Sequence, residues 1–331
     1  MRRSLFHTPL KSPFQASWLL RTSAAMLCSL SGGAYAAGAT TLDLPGDRAF
    51  PEAITATADG TLYVSNLAGG GILRIRPNQA PEVWLKPGDH GTRSTLGVLA
   101  DEKRGLLWVC SNDMSMIGIP SPGTQKGSSL KSFDLKSGQP KSSASLPGDA
   151  QICNDIAIDK AGDVYVTDTL APNVLKLSKD QKSLAVWKAD PALAPAEGGG
   201  LDGIAFGSDG NMIVNKIGSG ELFRIEVKNG VAGALTALKP SRPLVMPDGL
   251  RLADDGKSFW LIEGEGLSRM TIEGDVAKVE LIKGGLVVPT NVVQLGKKLW
   301  ISEGQNGYLL DPKLKGQSPR LPFRLYLVTL P

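Results

Sequence analysis

One short pattern recurs six times along this 331-residue chain: an entry residue, an apolar strand, a glycine turn, and a second apolar strand with an aromatic residue or Ile near its middle. The copies begin at Glu52, Leu96, Asn154, Asp202, Asp248 and Asn291, spaced 44, 58, 48, 46 and 43 residues apart. Their turns fall at Gly60, Gly105, Gly162, Gly210, Gly256 and Gly296. A period in this range, built from short strands rich in Val, Ile, Leu, Tyr and Trp, is the mark of a β-propeller blade. A helical repeat of the same length would instead place apolar residues every three to four positions. Stretches such as Leu62-Tyr63-Val64 and Val164-Tyr165-Val166 read as strands, and Asp-Gly pairs at 59–60, 209–210 and 255–256 close hairpins. Two further strands fit in each unit. The pattern predicts an all-β, six-bladed β-propeller with four-stranded antiparallel blades around a central channel, its ring closed by Thr40–Leu44 pairing with the last blade.

Residues 1–36 carry Arg2, Arg3, Lys11 and Arg21 without an acid, then an apolar stretch and Ala34-Tyr35-Ala36. That order predicts a secretory signal peptide cleaved after Ala36, leaving 37–331 as a single propeller domain. The apolar run is well short of the ~20 residues needed to span a bilayer, so no stable membrane insertion is expected after signal removal. The expected location is exported, periplasmic or extracellular. Of 36 basic and 32 acidic residues, the excess of four bases lies within the signal, and the remainder is neutral. No basic patch is left to attract nucleic acid or an anionic membrane. Cys110 and Cys153 remain after the signal, and both a disulfide and a pair of buried free thiols are open for them. Neither reads as catalytic, because His90 is the one histidine outside the signal.

On a propeller, each entry residue starts the innermost strand of its blade, so the six converge at one mouth of the channel. Glu52, Asp202 and Asp248 would then crowd three carboxylates beside the amides of Asn154 and Asn291. Such crowding calls for a cation or for bound protons, and an all-oxygen donor set suits a hard divalent cation, Ca²⁺ first. Residues ending the second strands, Asn66, Ser111, Asp168, Lys216, Glu263 and Glu303, would form a wider ring. From it Lys216 is a candidate for holding a substrate carboxylate, alongside Asn154 and Asn291 as substrate-binding amides. The long connection 112–127 reads as a partial lid or a disordered insertion. His90 is expected in a loop at the same mouth, and Trp108, Trp260 and Trp300 as packing between blades.

The run Asn154-Asp155-Ile156-Ala157-Ile158-Asp159 with Gly162, the segment Pro247-Asp248-Gly249-Leu250, and Pro51-Glu52 resemble segments of the gluconolactonase, regucalcin (senescence marker protein) and luciferin-regenerating-enzyme family of sugar-lactone lactonases. The resemblance implies a six-bladed propeller with a divalent cation, usually Ca²⁺, at the channel mouth. It implies metal ligation by Glu52, Asn154, Asp202 and Asp248, with Asp248 also as base. The chain departs from the family pattern twice. Asp202 stands where the family has asparagine, and Ile152 where it has a sugar-binding arginine. The second departure favours a less polar ring ester over a sugar lactone.

The expected activity is hydrolysis of a small lactone or ester. The cation would polarise the carbonyl, and Asp248, or Asp202 in its place, would take the proton of the attacking water. No Gly-x-Ser-x-Gly segment offers a competing nucleophile. Two other functions fit the same pattern: a non-catalytic, metal-stabilised binding propeller, and a strictosidine-synthase-like propeller enzyme that consumes no water.

Overall fold

The computed structural model describes residues 40–148, 150–314 and 316–331. The secretory segment expected over 1–36 lies outside the described residues. The chain is all-β apart from single turns of helix, and none of its described helices is long and apolar enough to cross a membrane.

After β1 (Thr40–Leu44), the strands come in antiparallel meanders. The first is β2 (Pro51–Ala56), β3 (Leu62–Asn66), β4 (Ile72–Ile75) and β5 (Glu82–Leu85). The second is β6 (Ser94–Asp101), β7 (Leu106–Asn112), β8 (Ser128–Asp134) and β9 (Pro140–Ser145). The third is β10 (Cys153–Ile158), β11 (Val164–Asp168), β12 (Asn173–Leu177) and β13 (Leu184–Ala189). The fourth is β14 (Leu201–Phe206), β15 (Met212–Lys216), β16 (Leu222–Lys228) and β17 (Val231–Pro240). The fifth is β18 (Pro247–Leu252), β19 (Ser258–Glu263), β20 (Gly266–Glu273) and β21 (Val276–Lys283). The last is β22 (Pro289–Leu295), β23 (Lys298–Glu303) and β24 (Phe323–Thr329), completed by β1, which pairs with β24 from Thr40↔Leu327 to Leu44↔Phe323 as expected.

Hydrogen bonding gathers these strands into five sheets, four of four strands and one of eight, rather than one sheet per blade. The eight-stranded sheet arises because β17 runs to ten residues, and its end meets the outer edge of β21 in a short parallel bridge, Lys239↔Val276 and Pro240↔Ala277. The bridge occupies backbone groups that an outermost strand would otherwise leave unpaired. The innermost strands touch in the cyclic order β2, β6, β10, β14, β18, β22 and back to β2.

The core sits where the first and second strands of each meander face one another. Ile54/Val64, Val98/Val109, Ile156/Val166, Ile204/Val214, Leu250/Leu261 and Val292/Ile301 are directly opposed pairs, and none of the twelve side chains is more than 1% exposed. Each contributes roughly 1.5–3 kcal/mol by leaving water. Just before each pair the register slips by one residue, a β-bulge repeated in all six first-to-second strand ladders. A bulge re-aims a side chain out of the ladder. Here it turns the entry residues out of their sheets.

Trp108 and Trp260 are buried as packing residues, their indole N–H groups donating to Asp101 Oδ2 and Gln294 Oε1 at 3.3 and 2.6 Å. Cys110 on β7 and Cys153 at the start of β10 form a disulfide between neighbouring meanders, with Cα atoms 5.2 Å apart. The segment 112–127 is ordered, with a 3-10 turn at Met114–Ile117. Arg93 holds it through the carbonyls of Pro122 and Gln125 and an ion pair with Asp113 at 3.0 Å.

The disulfide closes a loop of 43 residues. Loop-closure entropy then puts its contribution at about 4 kcal/mol. Cys110→Ala/Cys153→Ala should lower the denaturant midpoint accordingly, and an unchanged midpoint would refute that contribution.

Candidate functional site

The bulges fix which side chains share the channel mouth. In register they align Glu52, Leu96, Asn154, Asp202, Asp248 and Thr290, followed by Ala53, Gly97, Asp155, Gly203, Gly249 and Asn291. This corrects the sequence reading in the last meander, where Pro289↔Glu303 and Val292↔Ile301 put Thr290, not Asn291, at the entry position. Asn291 is one place further on and buried. Its Oδ1 accepts the N–H of Val292, just as Asp155 Oδ1 accepts that of Ile156. Without an alignment of the bulge, a one-residue offset between Thr and Asn is invisible in sequence.

In four meanders a polar residue near the end of the second strand locks the bulge. Ser65, Thr167, Asn215 and Ser302 accept the N–H groups of Ala53, Asp155, Gly203 and Asn291 at 2.9–3.0 Å. Three of these side chains also hold the next entry residue by its carbonyl: Thr167 donates to Asp202 O, Asn215 to Asp248 O and Ser302 to Glu52 O. Neighbouring bulges approach so closely that a Cβ on Gly249 would lie 2.7 Å from Thr290 O, and one on Gly203 would collide with Asp248 O. Glycine is required there for space. Asn112 gives β10 its edge pairing, donating to Cys153 O and accepting from Cys153 N at 2.9 Å each.

Glu52, Asp202 and Asn154 are buried at this mouth, and Asp248 is partly exposed. Burial and then the Asp202 charge push Glu52 well above the usual carboxylate range. Burial pushes Asp202 up to about 7, and burial followed by repulsion from Asp202 and Glu52 raises Asp248 strongly. The Asp202 and Asp248 carboxyls are neighbours in the ring, and their repulsion favours holding a proton there. Asn154 Nδ2 donates to Asp202 Oδ2 at 3.0 Å and to Thr169 Oγ1 at 2.8 Å.

Beneath this ring is an ion pair that sequence reasoning missed. Arg251 binds Asp155 in a two-pronged arrangement, at 2.5 Å (Nη1–Oδ2) and 2.9 Å (Nη2–Oδ1), with side chains 14% and 3% exposed. Its charge also lowers Glu52 and Asp202. The available signal was position: Arg251 stands three residues past an entry residue, where the other meanders carry Thr55, Leu99, Ala157, Ala205 and Val293. Below it a cavity of about 620 Å³ opens at the far end of the channel, lined by Leu99, Ile158, Phe206 and Arg251.

The remaining candidates lie apart from the carboxylates. Lys216 is buried and its ammonium is committed to Ala192 O at 3.1 Å and Glu221 at 2.8 Å. His90 is exposed, its ring 6.1 Å from that of Phe133 on β8. Glu263 is paired with Arg242, whereas Glu303 is buried, has an unpartnered Oε2 and is pushed up to about 7 by burial.

The donor set, three carboxylates with Asn154 Oδ1 not taken up by a hydrogen bond, fits a hard divalent cation in kind. Among the described residues, no three His, Cys, Asp or Glu side chains converge into a ready-made metal cage. Without a cation, uptake of a proton is what would relieve the repulsion within this ring.

Residues 37–75 match the family model described as Strictosidine synthase-like, N-terminal. No curated protein is similar to the chain in sequence. Solved structures of similar fold include a gluconolactonase from Xanthomonas campestris, at 19% identity and TM-score 0.62 over 88% of this chain and 90% of that one. The luciferin-regenerating enzyme is similar at 13% identity and TM-score 0.60, over 88% and 95%. Virginiamycin B lyase from Staphylococcus aureus is similar at 14% identity and TM-score 0.57, over 89% and 99%. The first two agree with the resemblance read from the sequence, and at these identities the likeness is one of fold.

Two outcomes follow from the site. Arg251→Met leaves Asp155 buried without its partner and should cost about 3–5 kcal/mol; adding Asp155→Leu should recover most of that, and additive losses in the double variant would refute the pairing. Asp202 titrates at about 7 folded against 3.8 unfolded, so the folded chain binds more protons between those values. Stability without added cations should therefore fall as pH rises from about 4 to 7. Asp202→Asn should flatten that fall in thermal melts, and an unchanged slope would count against the raised carboxyl.

Proposed function

We propose that the chain is a six-bladed propeller that hydrolyses lactones or related esters at the ring of Glu52, Asn154, Asp202 and Asp248. The observation that carries this reading is the gathering of Glu52, Asn154, Asp202 and Asp248 at the entry positions of one channel mouth, with burial raising the basicity of the carboxyl groups. A carboxylate with its basicity raised toward neutrality is suited to take a proton from water. Asp248 is the base, since it is the partly exposed carboxyl of the ring. Asp202, buried and held by the Asn154 amide, is the neighbouring carboxyl whose charge raises the basicity of Asp248. The proton taken from water is then available to the departing alkoxide oxygen of the opened ring. Glu52, Asp202 and Asp248 with Asn154 would hold a divalent cation, Ca²⁺ in preference, whose chemistry when bound is to polarise the ester carbonyl and stabilise the charge that develops on it.

Similarity of fold to a gluconolactonase supports the reaction class. Export to the periplasm or outside the cell is part of the proposal, and the Cys110–Cys153 disulfide supports it, because such bonds persist in oxidising compartments. The family-model match over 37–75, which includes Glu52, supports a second reading, a strictosidine-synthase-like enzyme that consumes no water.

A panel of lactones and aryl esters tests the first reading. Turnover is expected, with loss on chelation and recovery on adding Ca²⁺. Asp248→Asn should lower kcat by about 10²-fold or more. Full activity in that variant would overturn the assignment of the base, and turnover without uptake of solvent oxygen would favour the second reading.

A further inference from the structure

Thirteen large apolar side chains stand exposed among the described residues. Five of them lie on the outermost strands β5, β13, β17 and β21, and the other eight lie on connections at the mouth end of the channel. Three of those eight adjoin the carboxylate ring. Leu170 (38% exposed) follows Thr169, whose hydroxyl accepts a hydrogen bond from Asn154. Met246 (59%) and Val288 (40%) each stand two residues before an entry residue, Asp248 and Thr290.

The backbone at the last two positions is unusual. Met246 and Val288 have φ of +45° and +39°, in the left-handed region that glycine enters freely and β-branched residues avoid. Phe50, two residues before Glu52, has the same conformation at φ +46°, but it is buried, its ring 4.8 Å from that of Phe323. The same device thus fills the core in one meander and holds an apolar side chain at the surface in two others. Strained backbone of this kind concentrates at binding sites. At the equivalent place in the third meander stands Ile152, also apolar and buried. Polar oxygen groups therefore hold the entry positions, and exposed apolar side chains stand in the segments that adjoin them in the chain.

We propose that Met246, Val288 and Leu170 form an apolar collar selecting ring esters that carry an alkyl substituent, the ester group meeting the carboxylates and the substituent lying across the collar. This rests on the hydrolase reading. It names the substrate class and the residues that select it.

The test uses γ-lactones with alkyl substituents from methyl to hexyl. The wild-type kcat/KM should rise about two- to threefold per methylene, less than full burial of each would give. Met246→Ser/Leu170→Ser should reduce the hexyl-to-methyl ratio by about tenfold or more, with Val288→Ser as a second variant, whereas Leu281→Ser on β21 should leave the ratio unchanged. Calorimetric binding of 2-alkylcyclopentanones, which have no ester bond to cleave, separates the two readings. Affinity that rises with chain length in the wild type and not in the collar variants supports the collar even if no lactone is turned over, an outcome that would sink hydrolysis alone. Turnover and binding that are both independent of chain length would overturn the collar and leave hydrolysis standing. Binding to phosphatidylcholine vesicles that is lost in the collar variants would also overturn it, by making these residues a membrane-docking surface.

Discussion

The ring depends on one repeated interaction. A short polar side chain near the end of a second strand accepts the N–H of its own meander's bulge, and in three meanders also donates to the carbonyl of the next entry residue. Thr167, Asn215 and Ser302 thereby join the geometry of one bulge to the position of the next. Backbone groups in a bulge lack their ladder partners, and leaving them unpaired in a buried channel would cost about 1–3 kcal/mol each. The same bonds that satisfy them set the spacing of Glu52, Asp202 and Asp248. Site geometry and ring closure are consequently one constraint.

That constraint explains how so much like charge is tolerated. Four carboxylates, Glu52, Asp155, Asp202 and Asp248, lie near one buried guanidinium, that of Arg251. Arg251 neutralises Asp155 directly, and burial with mutual repulsion raises the basicity of the other three. Arg251 also lines the cavity at the far end of the channel. The charge imbalance of the ring raises the basicity of its carboxyl groups, and exposed apolar side chains stand in the segments beside the entry positions.

Much of this was legible in the residues. The period, the glycine turns and the alternating apolar strands determined the meanders, the closing strand Thr40–Leu44 and the convergence of Glu52, Asn154, Asp202 and Asp248, because side-chain periodicity is a local property of an extended chain. Lys216 and Asn291 show where that reasoning ends. Lys216 is on the strand end where it was expected, yet its ammonium is taken by Ala192 and Glu221, partners whose proximity only the folded loop creates. Asn291 was displaced by a bulge, which shifts register by one residue and leaves no mark in an apolar pattern.

The sequence by itself determined the repeat, the strand architecture and the oxygen-rich character of one channel mouth. Tertiary structure alone decided which residues face each other across the ring. Arg251 and Asp155 are 96 residues apart and meet only because the third and fifth meanders share a channel. The pairing of Cys110 with Cys153, open in the sequence, was decided by the contact of β7 with β10. Met246 and Val288 read in sequence as ordinary apolar residues ahead of prolines, and only their left-handed backbone places them at the rim. Local pattern fixes what each strand is, whereas closure of the ring fixes the long-range distances on which charge pairing and burial depend.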